Sequence, residues 1–348
     1  MATGCNGTSS KRKLEVLDQD AFLQKSKAAR LRRSPEGHFI KAMYSSLVDS
    51  IITDPEMMVI PLDDHSIVRG HAVFDTCTLA DGKVYRLGIH LDRLFKSAKL
   101  AKLKLPFGDS EEENRSRITD IVCQTCVASG LKDAGVRFFL TAGPGNFGFT
   151  TAGCEPAFYV SVLTAEKVAE AKGIGEALVP ETEVPMKPAL LATLKSNNYL
   201  LNCMLAMAAQ ERGGRFGINI RTDGTVAEGC VANCGIVTKD KVFITPPFDG
   251  ILAGTTVRKA TLFRIKRATP SLAEALKEVR QEILHKDQLF AAQEVIMFCG
   301  DLGVFPVTTL DGCTIASGEA GKDGASSLPR LARQVAFEGT EEHIQLTY

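Results

Sequence analysis

Leu194-Lys195-Ser196-Asn197-Asn198-Tyr199-Leu200-Leu201-Asn202 sets a single lysine between an apolar run and the start of an apolar helix. Leu190, Leu191 and Leu194 precede Lys195, and a segment rich in leucine, methionine and alanine runs on to about residue 212. Most lysines of a folded chain lie in solvent, but one at such a junction is pinned by scaffold on both sides. Two further features follow in order. One is an acid-glycine turn, Ala227-Glu228-Gly229; the other is a loop entering a helix, Leu252-Ala253-Gly254-Thr255-Thr256-Val257-Arg258.

These three pieces have complementary chemistry. An amine that can lose its proton attacks a carbonyl carbon. A carboxylate against a pyridine nitrogen keeps that nitrogen protonated, so the ring can accept an electron pair. A helix entrance offers backbone N–H groups and the positive end of the dipole to a phosphate. Gly254 permits close approach there, the two threonines add hydroxyls, and an arginine is expected to complete the anion clamp. Amine, carboxylate and phosphate cradle are the parts of a pyridoxal phosphate site.

The remainder of the chain fits a soluble enzyme. Its 348 residues are long for one core, so two domains are expected. Lysine plus arginine balances aspartate plus glutamate at 41 each, so no net field favours nucleic acid or an anionic membrane. No apolar run reaches the ~20 residues of a membrane span. The ten cysteines are scattered. Cys123 and Cys126 form a CxxC, but on a helical period beside Ile118, Ile121 and Val122, and Cys230 and Cys234 have the wrong spacing for a second zinc pair. Buried free thiols in a reducing compartment are expected, and no metal. Lys11-Arg12-Lys13, Arg30, Arg32 and Arg33 have the basic character of a transit peptide, but Glu15, Asp18 and Asp20 interrupt it. Cytoplasm is therefore expected, with an organelle as the alternative.

Residues 1–36 read as a polar, partly helical arm, 37–166 as an α+β domain, 167–188 as a proline-bearing connection, and 189–345 as the cofactor-binding domain. The periodicity predicts strands at 42–48, 72–79 and 83–87, the last two joined by an Asp81-Gly82 hairpin turn. It predicts helices through Leu91, Leu94, Phe95, Ala98 and Ala101 and over 111–129, then strands at 136–141 and 157–163. In the second half, strands are expected at 216–221 and 234–245, a capping box opens a helix at Ser271-Leu272-Ala273-Glu274, and a final strand covers 295–299. The irregular alternation indicates an α+β fold, not a doubly wound sheet. Gly143-Pro144-Gly145-Asn146-Phe147-Gly148 satisfies GxGxxG, yet no helical period follows, so a glycine-rich loop is expected in place of a dinucleotide fingerprint.

Taken together, these motifs resemble the class IV aminotransferases, the fold type IV pyridoxal phosphate enzymes that include branched-chain aminotransferases, D-amino acid aminotransferases and aminodeoxychorismate lyases. The resemblance covers roughly residues 40–330. It rests on Arg69-Gly70-His71-Ala72-Val73-Phe74-Asp75, His90-Leu91-Asp92-Arg93-Leu94, Lys195 with Asn198, Glu228-Gly229 with Asn233, and Gly254-Thr255-Thr256-Val257-Arg258. It implies a two-domain molecule with an α+β N-terminal domain and a pseudo-barrel C-terminal domain. Lys195 matches the Schiff-base lysine, Glu228 the partner of the pyridine nitrogen, and Arg93, Thr255 and Thr256 the phosphate site. Tyr199 lies four residues past Lys195, one fewer than is typical of branched-chain enzymes, which leans toward the D-amino acid and lyase branch.

Phe147 and Phe149 stand where bacterial D-amino acid enzymes carry an arginine-x-histidine carboxylate trap, and Gly300 where the family often carries a hydroxyl. Arg137, Arg69 and Phe74 are the candidate substrate residues. The segment 42–65 most resembles plant-type D-amino acid members. The resemblance implies a transaminase acting on an amino acid, expected to be a D-amino acid, and a 2-oxo acid, in a homodimer. Aminodeoxychorismate lyase, a branched-chain L-amino acid transaminase, and a catalytically silent binding protein are the alternatives.

Overall fold

The computed structural model describes residues 13–164, 173–258, 276–300, 303–315 and 342–348. The polar arm carries helix α1 (Gln19–Arg33), capped by Asp18 and pinned to the body by Arg30 Nε on Glu56 Oε1 at 2.5 Å. Six strands follow: β1 (Ile40–Ser45), β2 (Ser50–Ile52), β3 (Ala72–Ala80), β4 (Lys83–Tyr85), β5 (Ala134–Thr141) and β6 (Ala157–Thr164). Among them lie the short helix α2 (His65–Val68) and the longer α3 (Leu87–Leu100) and α4 (Glu111–Ala128). The expected strand at 42–48 is cut short. Residues 46–49 turn instead, with Asp49 at φ 43, and the chain returns as β2. At the other hairpin Asp81 (φ 49) and Gly82 (φ 69) both take the left-handed conformation that matches the twist of a two-residue turn.

The second half contributes β7 (Ile174–Glu176), β8 (Leu178–Pro180), α5 (Ala189–Thr193), α6 (Leu200–Gln210), β9 (Ile218–Ile220), β10 (Ala232–Val237), β11 (Val242–Thr245), β12 (Glu278–Gln281), α7 (Lys286–Ala291), β13 (Glu294–Cys299), β14 (Gly303–Leu310), β15 (Cys313–Thr314) and β16 (His343–Gln345). The single strand expected over 234–245 is a hairpin, because Lys241 at φ 61 reverses the chain between β10 and β11. The strand at 294–299 is followed, among the described residues, by three more, and the capping box at 271–274 lies outside those residues.

The strands form two seven-stranded sheets plus a small parallel pair, β8 with β9. The first sheet runs β16-β4-β3-β5-β6-β1-β2, antiparallel throughout, with α3 and α4 packed on one face. The second runs β12-β11-β10-β13-β14-β15, with β7 parallel to β14. That sheet and the β8/β9 pair share one apolar core, with Val179 and Ile218 meeting Cys234, Ile236, Val295 and Met297. Helices and antiparallel sheets segregate as an α+β fold of two domains does.

Three boundaries differ from those expected. Strands β7 and β8 lie inside the expected connection, and β7 belongs to the second sheet. Leu191 and Leu194 pack into the core of the first domain, not the second. Strand β16 pairs with β4, and Leu346 is buried in that same first core, so the chain end also leaves the second domain. In each case apolar side chains go to the nearest surface that buries them, and sequence order does not encode which surface that is.

One strand separates packing from chemistry. In β3 the side chains of Val73, Cys77 and Leu79 enter the first core, while Phe74 and Thr76 face the opposite way into a cavity between the sheets. Strand β5 repeats the division, with Val136, Phe138 and Leu140 in the core and Arg137 on the cavity side. The register sets Thr76 opposite Arg137 and Phe74 opposite Phe139. This is the period of two expected of a strand buried on both faces.

Candidate active site

Lys195 belongs by sequence to the second half but is strapped to the first sheet. Its N–H donates to Ser97 Oγ at 3.1 Å, and its carbonyl accepts from Phe74 N at 2.9 Å. Ser196 bridges Val73, Asn197 N donates to the Ala72 carbonyl, and Asn198 Nδ2 donates to the Gly70 carbonyl at 2.8 Å. With Leu194 buried beside it in the first core, the lysine backbone is held by the first domain. Its Nζ donates to Tyr199 Oη at 3.0 Å and lies 4.5 Å from the Phe74 ring centre, while the Phe74 and Tyr199 rings meet edge-on at 5.2 Å. Burial pushes the Tyr199 phenol up to about 12, so it keeps its proton at neutral pH.

Lys195 Nζ opens into a cavity of about 210 Å³ that also receives Glu228, Arg93, Arg137, Thr255 and Thr256. Glu228 is buried in the turn before β10, where it bridges Asn233. Its Oε2 accepts from Leu252 N at 3.1 Å, and its Oε1 from Lys187 Nζ at 3.1 Å. Burial raises the carboxyl above its ordinary range, and the neighbouring Lys187 charge is the main opposing influence. Asn233 Nδ2 donates to the Leu252 carbonyl at 2.8 Å, fixing the loop that leads to Gly254. A Cβ on Gly254 would lie 2.0 Å from Asn233 Oδ1, so only glycine lets the two segments approach this closely. Residues 255–258 then turn into a helix. Thr255 and Thr256 lie buried in its first turn, whose N–H groups have no acceptor within the helix itself.

Arg93 reaches the cavity from α3. Asp75, fully buried on β3, takes Arg93 Nε on Oδ2 and Nη2 on Oδ1, both at 2.7 Å, and also meets His90 Nδ1 at 2.8 Å. This two-pronged grip fixes the plane of the guanidinium. Although burial pushes the other way, Arg93 and His90 hold the Asp75 carboxyl well below the usual range.

Of the residues expected at the site, Lys195, Tyr199, Glu228, Arg93, Thr255, Thr256, Phe74 and Arg137 converge on this cavity. Arg69 does not. It is exposed, and its guanidinium is taken by the carbonyls of Val68, Phe147 and Gly148 and by the Phe149 ring at 4.9 Å, so it braces the glycine-rich loop. That loop continues as turns and bends without a helix through residue 153. Cys126 is buried in α4 with its thiol pushed up to about 12 by burial, which leaves it unreactive. Sequence reading missed Lys187 and Asn202. Lys187 was one charge among several in the connection, and no local signal links it to a carboxylate 41 residues on.

The donor set fits pyridoxal phosphate. An amine, a buried carboxylate, a helix entrance and Arg93 line one cavity. The cavity's formal cations, Lys187, Lys195, Arg93 and Arg137, outnumber Glu228 and the Asp75 behind Arg93, a surplus that suits a phosphate dianion. Among the described residues no helix is long and apolar enough to cross a membrane.

Comparison with known proteins gives the same result. The chloroplastic D-amino-acid transaminase of Arabidopsis thaliana is 35% identical over 294 residues, 84% of this chain and 76% of the relative. A putative branched-chain-amino-acid aminotransferase of Methanocaldococcus jannaschii is 28% identical over 74% of this chain and 85% of its own length. In structure, the branched-chain aminotransferase of Thermoproteus uzoniensis with norvaline superposes with a TM-score of 0.72 at 21% identity, over 88% of this chain and 99% of that one. A family model for amino-transferase class IV matches residues 72–310. The chain therefore belongs to the class IV aminotransferases, transaminases that work with pyridoxal phosphate.

Proposed function

We propose that this transaminase takes its amino group from a D-amino acid and passes it to a 2-oxo acid, with Lys195 as the catalytic amine. The observation that carries the catalytic role is the convergence of Lys195 Nζ, Glu228, Arg93 and the Thr255–Thr256 turn on one cavity. Bound there, pyridoxal phosphate supplies a carbonyl carbon that exchanges amines and a ring that takes up the electron pair left at the substrate Cα. Lys195 Nζ carries the proton removed from Cα. The Tyr199 hydroxyl, 3.0 Å from that nitrogen and holding its own proton, orients the amine. Glu228 would hold the ring nitrogen, and Arg93 with the amides of residues 255 and 256 would hold the phosphate. Arg137, whose Nε reaches Thr76 Oγ1 at 3.3 Å and which has no ion-pair partner among the described residues, holds the substrate carboxylate beside the apolar face of Phe74.

The D-amino acid choice is supported by the Arabidopsis relative and by the Tyr199 spacing. Single-turnover mixing with D-alanine, L-leucine and aminodeoxychorismate separates the readings. Conversion to the aminated cofactor with D-alanine is expected, and conversion with L-leucine alone overturns the assignment. The exposed Phe147 and Phe149 on the braced loop support a homodimer in which this loop meets a second copy, to be checked by light scattering. Glu15, Asp18 and Asp20 support the cytoplasm, and fractionation of the tagged full chain decides between it and an organelle.

A further inference from the structure

Lys187 has no part in the roles assigned so far, yet it is built into the site. Its side chain is 18% exposed and that of Glu228 12%, so the pair is largely removed from water. Pro188 follows it directly and restricts Lys187 to extended backbone, from which its side chain reaches Glu228 Oε1 at 3.1 Å. The other oxygen of Glu228 is occupied by Leu252 N and lies 3.5 Å from Asn233 Nδ2. Lys187 also lines a smaller cavity of about 30 Å³ behind the main one. Asn202 lines both cavities as well, and its buried Oδ1 has no hydrogen-bond partner among the described residues.

A carboxylate that faces both an ammonium and a pyridine nitrogen holds a proton less tightly than one facing the nitrogen alone, because the fixed positive charge stabilises its ionised form. Burial works against this by raising the Glu228 carboxyl, and Lys187 is the principal counterweight. We propose that Lys187 is a positioning residue that keeps Glu228 ionised, so that the proton shared between carboxylate and cofactor resides on the ring nitrogen. Remove the ammonium and the proton moves to Glu228, which leaves a neutral ring that accepts electrons poorly. The inference rests on the reading in which Glu228 faces that nitrogen. It adds a second lysine to the site, one that acts through the carboxylate.

The test uses the full chain reconstituted with pyridoxal phosphate labelled with nitrogen-15 in the ring. The wild type is expected to show the protonated ring nitrogen. Lys187→Met is expected to shift the signal toward the unprotonated value and to raise the cofactor dissociation constant about tenfold, the effect of one charge-assisted hydrogen bond. Lys187→Arg, which keeps the charge, is expected to restore the protonated signal, an effect that a merely structural lysine would not produce. Should Lys187→Met fail to fold, Lys187→Gln, neutral but still a hydrogen-bond donor, gives the same comparison. A protonated ring in both wild type and the neutral variant overturns the proposal alone. Wild type that takes up no pyridoxal phosphate overturns the site assignment together with it.

Discussion

Lys195, partly buried, and Asp75, fully buried, show how differently two ionisable residues of the site contribute. Lys195 is held at its backbone by Ser97 and Phe74, so replacing its side chain leaves the scaffold intact. Lys195→Ala is expected to fold with an unchanged melting temperature, to lose the yellow colour of the lysine-bound cofactor, and to lose transamination by roughly 10²–10⁴-fold or more. Absorbance and steady-state rates check this. Asp75 has no chemistry of its own but neutralises Arg93 and holds His90 Nδ1 within the core. Asp75→Ala is expected to cost about 3–5 kcal/mol in urea unfolding, because it breaks a two-pronged ion pair whose carboxylate is fully buried. The lowered Asp75 carboxyl also sets a direction with pH. Its stabilising contribution is complete above the unfolded carboxylate range and is lost as acid protonates it in the folded state.

At the scale of elements, most of the site was legible wherever a local period carried it. The alternation in β3 and β5 puts Phe74, Thr76 and Arg137 on one face, and the Leu87–Leu100 helix presents His90 and Arg93 toward Asp75. The loops were less legible. Arg69 looked like a substrate arginine until the carbonyls of residues 147 and 148 claimed its donors, and those carbonyls are 78 and 79 residues away. Gly254 is the element-scale test. Gly254→Ala places a Cβ against Asn233 Oδ1, forcing Asn233 off the Leu252 carbonyl and loosening the turn that presents Thr255 and Thr256. Cofactor affinity is expected to fall about tenfold or more, with a smaller change in thermal stability, as measured by titration of the cofactor-free protein.

For the whole molecule, the decisive fact is how much chain returns to the first domain. Leu194 and Leu346 are buried in the core built by α3, α4 and the first sheet, although Leu194 follows β7 and β8 of the second domain and Leu346 follows β15. Leu346→Ala, only two residues before Tyr348, is therefore expected to destabilise the protein by about 2–5 kcal/mol and to speed proteolysis of the first domain. A second whole-molecule effect comes from Glu176, which is buried and accepts Phe216 N and Gly217 N, joining β7 to the segment before β9. Burial, only partly opposed by those N–H groups, pushes its carboxyl up from 4.5 to about 7. The folded state thus binds this proton more tightly than the unfolded chain. The contribution of Glu176 is complete below the unfolded value and is lost as the pH rises through about 7. Glu176→Gln keeps an acceptor without the charge, so melting temperatures between about pH 5 and 8 should vary less than in the wild type.

By itself, the sequence determined the α+β class and the order in which Lys195, Glu228 and the Gly254–Thr256 turn follow one another. These rest on periods of two and 3.6 residues and on short motifs, whose physics is local. Only the tertiary structure decided that Lys195 hangs from the first sheet, that Asp75 aims Arg93, and that Lys187 is the cation beside Glu228. Those pairings join residues far apart in the chain. They form because buried backbone polar groups must find hydrogen-bond partners and buried charges opposite ones wherever the fold provides them, and no local pattern records where that will be.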